Sequence, residues 1–263
     1  MIRVAQLGQV FVKATRFLHP ESVEIDRCGI RHDRDFAIAE ADDSFVSTAN
    51  HGDFFPLTFA YDATTDRLRL TLPGGEVVEG PAAAAGRSWD HDHFTVRTFR
   101  VAEVEGPWTR ALSDFAGRPI RLVRCLATGS AIDFLPVTFV TTGSLRRLSR
   151  EMGVPVEGAR FRPGLVLDNA VEHEEDGWDG RLIRVGAVTL KVRSPVPRCP
   201  IPGLNPARGV RDLEVMKALI RYRDKQAYPD GLLAGYETPG FATYAEVVEP
   251  GTVRVGDAVT LLS

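Results

Sequence analysis

The segment Ser194-Pro195-Val196-Pro197-Arg198-Cys199-Pro200-Ile201-Pro202-Gly203 limits the possible fold more than any other part of the chain. Proline fixes φ and has no backbone N–H, so four prolines within eight residues exclude a helix interior and a central strand. The segment reads as a stiff, specifically shaped loop directly after a strand-like run. It sets Arg198 and Cys199 side by side. A cation beside a thiol is a setting that lowers a thiol pKa. Taken alone, the segment leaves open whether Cys199 is a metal ligand, a nucleophile or neither.

Over 263 residues, 44% are hydrophobic and 25% charged, an ordinary balance for one large folded domain or two small ones. A formal net charge of −3 gives no global basic field, which argues against nucleic acid or an anionic membrane as the main partner. No apolar run reaches the roughly 18 residues of a membrane span. Met1-Ile2-Arg3-Val4 also lacks the basic-then-apolar order of a signal peptide. A cytoplasmic protein is therefore expected. Cys28, Cys125 and Cys199 are odd in number and have no CxxC spacing, against a disulfide framework or structural zinc and in keeping with a reducing compartment. The Gly-x-Gly-x-x-Gly, Walker and Gly-x-Ser-x-Gly motifs are absent, so three large nucleotide and hydrolase classes lose support.

The first part of the chain reads as short strands at residues 4–12, 36–41, 45–48, 57–61, 67–72, 76–79 and 94–99, with hairpin punctuation at Leu72-Pro73-Gly74-Gly75-Glu76. Residues 80–86, with four consecutive alanines, read as a surface loop. Asp90-His91-Asp92-His93 reads as a solvated turn rather than a metal site, although in a strand the two histidines would share one face. Glu172-His173-Glu174-Glu175-Asp176 reads as a solvated acidic loop. Helices are expected at 108–116, at 144–152 with Ser144 as N-cap, and at 212–222 with Asp212 as N-cap. Cys125 reads as a small hydrophobe in a strand. The pattern Ile183-Arg184-Val185-Gly186, then Val188-Thr189-Leu190, returns as Val253-Arg254-Val255-Gly256, then Val259-Thr260-Leu261. Both copies read as strand, glycine turn, strand, and they support a β-barrel-like C-terminal half.

Other cations stand at strand boundaries: Lys13, Arg34 in Arg31-His32-Asp33-Arg34, and Arg162 in Phe161-Arg162-Pro163-Gly164. Singly, each is an ordinary surface charge with a packed stem. Together they can surround one anion. One thiolate among several cations suits an anionic, soft-metal cofactor better than a protease, because no base–orienter pair accompanies Cys199.

Further residues join these in order. They are Val12-Lys13, Asp33-Arg34-Asp35-Phe36, Asp133 with Pro136, Ser144-Leu145, Phe161-Arg162-Pro163, Gly177-Trp178, Arg198-Cys199, Asn205-Pro206 with Gly209, Tyr244, and the run from Pro250 to Asp257. In this order the chain resembles the MOSC-domain proteins, the family named for the C-terminal domain of molybdenum cofactor sulfurase, and in particular its amidoxime-reducing branch. The resemblance implies a mostly β, α+β fold: a MOSC β-barrel domain at 105–263 and a smaller β-rich N-terminal domain at 1–104, with the molybdenum cofactor (Mo-molybdopterin) held between them. It implies Cys199 as the metal ligand, Lys13, Arg34, Arg162 and Arg198 as cofactor-binding residues, and Cys199, Asp133 and Tyr244 at catalytic positions. Arginine forks and lysine suit the charge of a pterin phosphate and dithiolene.

The activity so implied is that of a molybdenum-dependent oxidoreductase that removes oxygen from N-hydroxylated or similarly N-oxygenated small molecules. A separate iron–sulfur or flavin protein would be the electron donor, since this chain has no four-cysteine cluster pattern. A second reading is a cofactor-binding or sulfur-carrier protein with a persulfide on Cys199 and no turnover of its own. A third is an idle relative that binds another anion in the same cleft. The chain departs from the branch at Ala14, Phe134-Leu135, Gly164 and Pro197, where the branch carries hydrogen-bonding side chains. Each lost bond is worth about 0.5–1.5 kcal/mol. Substrate choice is expected to rest with the loops 200–210 and 224–238.

Overall fold

The computed structural model describes residues 1–47, 52–231, 233–235 and 237–262. Seven strands close into a barrel, in the spatial order Val137–Thr141, Leu165–Asp168, Ile2–Leu7, Ala258–Leu261, Leu182–Val185, Val188–Pro197 and Glu237–Glu249, the last pairing back onto the first. Alternation along these strands turns one set of side chains inward, and the interior is filled by aliphatic residues with Phe139 and Trp178. This is the mostly β fold with a barrel that the sequence led us to expect.

The proline segment is arranged differently from expectation. Pro195 and Pro197 are part of the strand Val188–Pro197, and the loop begins only at Arg198. The reason lies in the pairing. The neighbour Leu182–Val185 reaches no further than Lys191, whereas Glu237–Glu249 accompanies the strand to Pro197. Both prolines therefore lie where the strand has a single partner, and their missing N–H groups cost no ladder bond on the open side.

A second region packs beside the barrel. It combines a four-stranded sheet, in the order Phe36–Ala39, Arg121–Cys125, Arg97–Val104 and Ala84–His93, with a meander of Thr58–Asp62, Arg67–Thr71 and Val77–Pro81. The helix α1, Trp108–Ala116, shares its core and ends on Gly117, whose φ of 66° is the left-handed cap that glycine supplies cheaply. Residues 80–86, expected as a loop, are mostly strand. A Cβ on Gly80 would lie 2.8 Å from the Pro107 ring, so only glycine allows this close passage beneath α1.

The chain passes between the two regions more than once. Ile2–Leu7 is a barrel strand, while Arg121–Cys125 lies between Phe36–Ala39 and Arg97–Val104. We propose a spatial division in place of a single cut between 104 and 105, with the first strand counted in the barrel and 108–125 in the smaller region.

The two copies of the strand–glycine–strand pattern both form turns, with Gly186 at φ 56° and Gly256 at φ 89°. Their pairings differ. Leu182–Val185 forms a hairpin with Val188–Pro197, whereas Gly251–Arg254 pairs with Ser22–Asp26.

The helix α2, Thr142–Met152, is capped by Thr141, which accepts from the Ser144 N–H at 3.2 Å. Ser144, expected as the cap, instead donates its hydroxyl to Glu175 at 2.5 Å. Glu175 is only 1% exposed and also accepts from the Thr141 hydroxyl, so the acidic stretch is not a solvated loop throughout. Burial pushes its carboxyl above the ordinary value, against the two hydroxyl hydrogen bonds. The helix α3 is Val215–Tyr222 and has no side-chain cap. Asp212 lies outside it because it is engaged elsewhere.

Candidate functional site

Lys13, Arg34, Asp133, Arg162, Arg198, Cys199 and Tyr244, the residues singled out in the sequence, all line one cavity of about 130 Å³. Both regions contribute to it. Residues 10–13 are stitched to 34–36 by the bonds Arg34 N–H to Val10 O at 2.6 Å, Phe36 N–H to Phe11 O at 3.0 Å and Lys13 N–H to Phe36 O at 2.8 Å. The barrel supplies the rest: Asp133 just before Val137–Thr141, Tyr244 opposite Thr138, Arg162 ahead of Leu165–Asp168, and Cys199 past the end of Val188–Pro197. Arg34 and Arg162 both have left-handed backbone, with φ of 57° and 51°. Non-glycine residues hold that conformation only where the surroundings fix it, a pattern common at functional sites.

The Lys13 ammonium donates to the Asp133 carboxylate and to the Ala131 carbonyl at 2.7 Å, and lies 3.5 Å from His93 Nε2. Burial lowers the Lys13 pKa, with Asp133 acting against the fall. For Asp133, desolvation at the cavity rim works against ionisation, but the Lys13 charge and hydrogen bond, His93 at 3.6 Å and the Arg34 charge together hold its carboxyl well below the usual range. It is therefore a carboxylate at neutral pH, an acceptor and not an acid. Tyr244 is 4% exposed, and burial raises its phenol above the ordinary value, with Arg198 opposing, so it keeps its proton.

The arginines divide by how fully they are paired. Arg34 donates to Asp33, which also accepts from the Val10 N–H at 2.7 Å. The Arg162 guanidinium makes no hydrogen bond to any described residue, its backbone N–H alone donating to the Ala159 carbonyl at 3.1 Å, and it sits 5.0 Å from the ring centres of Phe17 and Phe55. Burial, then repulsion from Arg34, lowers its pKa to about 9. Arg198 is buried over the Phe161 ring and donates weakly to the Phe161 carbonyl at 3.4 Å, while its Nε has no partner.

Arg160, which the sequence reading did not single out, also lines the cavity but has its charge matched. It grips Asp212 at 2.8 and 3.1 Å and donates to the Leu204 carbonyl at 3.0 Å, anchoring the loop that follows Cys199. Arg160 and Asp212 lie 52 residues apart with no shared motif, so no local signal joined them.

A second cavity, of about 420 Å³, adjoins the first and shares Lys13, Asp133, Phe134, Cys199 and Ile201 with it. Its far wall carries His91 and His93, which are 8% and 2% exposed at the end of the strand Ala84–His93. They are buried in a strand and not in a solvated turn. The alternation His-x-His was the signal that placed both on one face.

Among the described residues, no group of three or more His, Cys, Asp or Glu is placed to hold a metal ion. A metal at Cys199 would thus have to bring most of its ligands with it. Apart from Arg160, which Asp212 matches, four cations face two carboxylates, Asp133 and Asp33, which leaves the cavity positive. With the Arg162 guanidinium lacking a hydrogen bond to the described residues and Arg198 Nε orphaned, the residues fit an anionic group that carries its own metal donors. At Gly164, where the family branch has asparagine, a Cβ would lie 2.9 Å from the Ile30 Cδ1, so the Ile30 side chain fills the space.

A barrel whose open end carries one thiol among cations is what these residues build, and the sequence match agrees: residues 130–260 fit the MOSC domain, and the chain is a MOSC-domain protein. It is 26% identical to mitochondrial amidoxime-reducing component 1 of Mus musculus, over 84% of this chain and 63% of that one. Its identity to mitochondrial amidoxime-reducing component 1 of Homo sapiens is 33%, over 49% of this chain and 38% of that one. The chain thus spans less than two thirds of the length of these relatives. The YUAD protein from Bacillus subtilis superposes with a TM-score of 0.44 at 12% identity, covering 98% of this chain and 94% of that one. No helix among the described residues is long and apolar enough to cross a membrane.

Proposed function

We propose that the inner cavity binds the molybdenum cofactor with Cys199 as the protein's ligand to the metal, and that the protein reduces N-hydroxylated or similarly N-oxygenated small molecules. The observation that carries this reading is the convergence of one thiol with four cations, among them Arg162 and Arg198 with unmatched donors. The relatives' names, amidoxime-reducing components, support the substrate class.

When bound, the cofactor supplies a metal centre for two-electron oxygen removal. Lys13, Arg34, Arg162 and Arg198 hold its anionic groups by charge-assisted hydrogen bonds. The Arg160–Asp212 pair and the proline-stiffened strand end fix the loop that presents the Cys199 sulfur. Asp133, kept ionised, accepts a hydrogen bond from a substrate N–H or O–H, while Tyr244 keeps its proton on the phenol oxygen as a donor. Electrons come from a separate iron–sulfur or flavin protein. Cys28, Cys125 and Cys199 are all free thiols, which supports a reducing compartment such as the cytoplasm.

The carrier reading also has one observation in its favour: Cys199 is partly exposed and borders both cavities, so its sulfur is accessible for persulfide exchange. The two readings separate in one experiment. Protein made with cofactor biosynthesis intact is assayed for molybdenum and pterin, and its intact mass is measured. Near-stoichiometric molybdenum is expected, falling at least about tenfold in Cys199→Ala. Wild-type protein without metal or pterin overturns the proposal, and a persulfide on Cys199 in that protein establishes the carrier.

A further inference from the structure

The outer cavity differs in kind from the inner one. Its walls are rings: Phe45 stacks on His91 with centres 3.6 Å apart, Phe94 and Phe134 lie nearly parallel at 6.1 Å and 13°, and Tyr228 packs against Phe134 at 4.3 Å. The charged groups of its wall are Asp92, whose carboxylate accepts from the Thr95 N–H, and the paired Lys13 and Asp133. Burial lowers the pKa of both histidines, that of His93 to about 4, so they are neutral at pH 7. The nearest ammonium, on Lys13, is matched by Asp133.

Phe94 gives an independent sign. It sits at the tip of the hairpin joining Ala84–His93 to Arg97–Val104, 51% exposed, with φ of 56° and with Thr95 beside it at φ 58°. Two successive left-handed residues are ordinarily supplied by Asn-Gly or Asp-Gly. Phenylalanine and a β-branched threonine are poor choices, and the turn holds only with help: Asp92 accepts from the Thr95 N–H at 2.7 Å, and the His93 carbonyl from the Val96 N–H at 3.1 Å. A half-exposed ring recovers little of that strain by packing. Strain of this kind clusters at ligand clamps. Here the ring hangs over the cavity mouth, 5.7 Å from the Lys13 nitrogen and 4.4 Å from the His93 ring.

The geometry points to the outer cavity as a specificity site for a flat, uncharged aromatic group on the substrate, held among Phe45, Phe94, Phe134 and Tyr228 with the polar end directed to Cys199. The inference rests on the proposed function only for the identity of that polar end. A cationic inner chamber beside an aromatic outer one orients such a molecule in one direction. The volume suits one or two rings.

The test is calorimetric titration of the full chain with benzohydroxamic acid and with acetohydroxamic acid, which share the N-hydroxy amide and differ in the ring. Molybdenum is measured on the same samples. The aromatic probe is expected to bind at least about tenfold more tightly. Phe94→Asn keeps a residue that tolerates the left-handed turn, so its melting temperature should not fall, while the preference for the aromatic probe drops about three- to tenfold. Equal affinities for the two probes, or an unchanged preference in Phe94→Asn, overturn the inference. Metal-free protein that keeps the preference sustains the aromatic site and sinks only the molybdenum reading. Metal-loaded protein without the preference does the reverse.

Discussion

The chain contains the dipeptide Arg-Cys three times, and two of these, in different regions, are put to opposite uses. In the strand Arg121–Cys125, Arg124 is fully engaged by Asp66 at 2.8 Å, the Tyr61 hydroxyl at 3.0 Å and the Ala82 carbonyl at 3.2 Å, over the Phe36 ring. Its neighbour Cys125 is buried, and burial pushes the thiol up to about 12. Past the strand Val188–Pro197, Arg198 has no carboxylate partner among the described residues and an orphaned Nε, and Cys199 opens onto two cavities. The residues are the same; the supply of carboxylates and the end of the ladder are not. A cation next to a thiol becomes available for chemistry only where the fold withholds its counter-charge.

Substituting the two arginines tests this contrast most strongly. Arg124→Met leaves Asp66 and the Tyr61 hydroxyl without their donor and is expected to cost about 2 kcal/mol in urea denaturation. Arg198→Met removes a guanidinium already short of partners, and its cost should stay below about 0.5 kcal/mol. Equal losses at the two sites would erase the distinction.

The cavity side also has a pH signature. His93 takes up a proton near 6.5 when unfolded but resists until about 4 when folded, so the stability it contributes is complete above the higher value and is lost as pH falls through that window. The loss is of order 3 kcal/mol. Glu175, pushed up by burial, works with the opposite sign, since its folded carboxyl takes up a proton at a higher pH than the unfolded one. The difference between wild type and His93→Gln at about pH 7 and about pH 4.5 isolates the histidine. Parallel curves for the two proteins would contradict its burial as a neutral ring.

Cys125→Ala is expected to cost about 1 kcal/mol of stability, with cofactor content unaltered. Loss of metal from that variant would move Cys125 to the side of Cys199.

Much of the site was legible because its residues occur as short motifs in a fixed order, and the structure brings Lys13, Arg34, Asp133, Arg162, Arg198, Cys199 and Tyr244 to one cavity. The helix α1 was legible to the residue, since Pro107 and Gly117 punctuate it from within the chain. Long-range pairing was not. Asp212 has the chemistry of an N-cap and was read as one, yet Arg160 takes it as a counter-ion. Glu175 stands in an acidic run that reads as solvated, yet hydroxyls from the start of α2 draw it inside. The strands Val77–Pro81 and Ala84–His93 enter the stretch that reads as a loop, with Gly80 pressed against Pro107 and Trp108, which composition cannot reveal. Of the strand expected at 45–48, residue 48 lies outside the described residues, as do 232 and 236 in the loop 224–238.

Closure of the barrel depends on partners very far apart in sequence. Arg3 of Ile2–Leu7 stands opposite Ala258 on one side and Asp168 on the other. Until Ala258–Leu261 arrives, the first strand has an unpaired edge, and closing that gap joins segments separated by some 250 positions. A topology so rich in distant contacts folds slowly, and its early forms carry open edges that invite other chains. Removing either strand would not shorten the barrel; it would unzip a ring, and the thiol loop mounted on that ring would lose its frame.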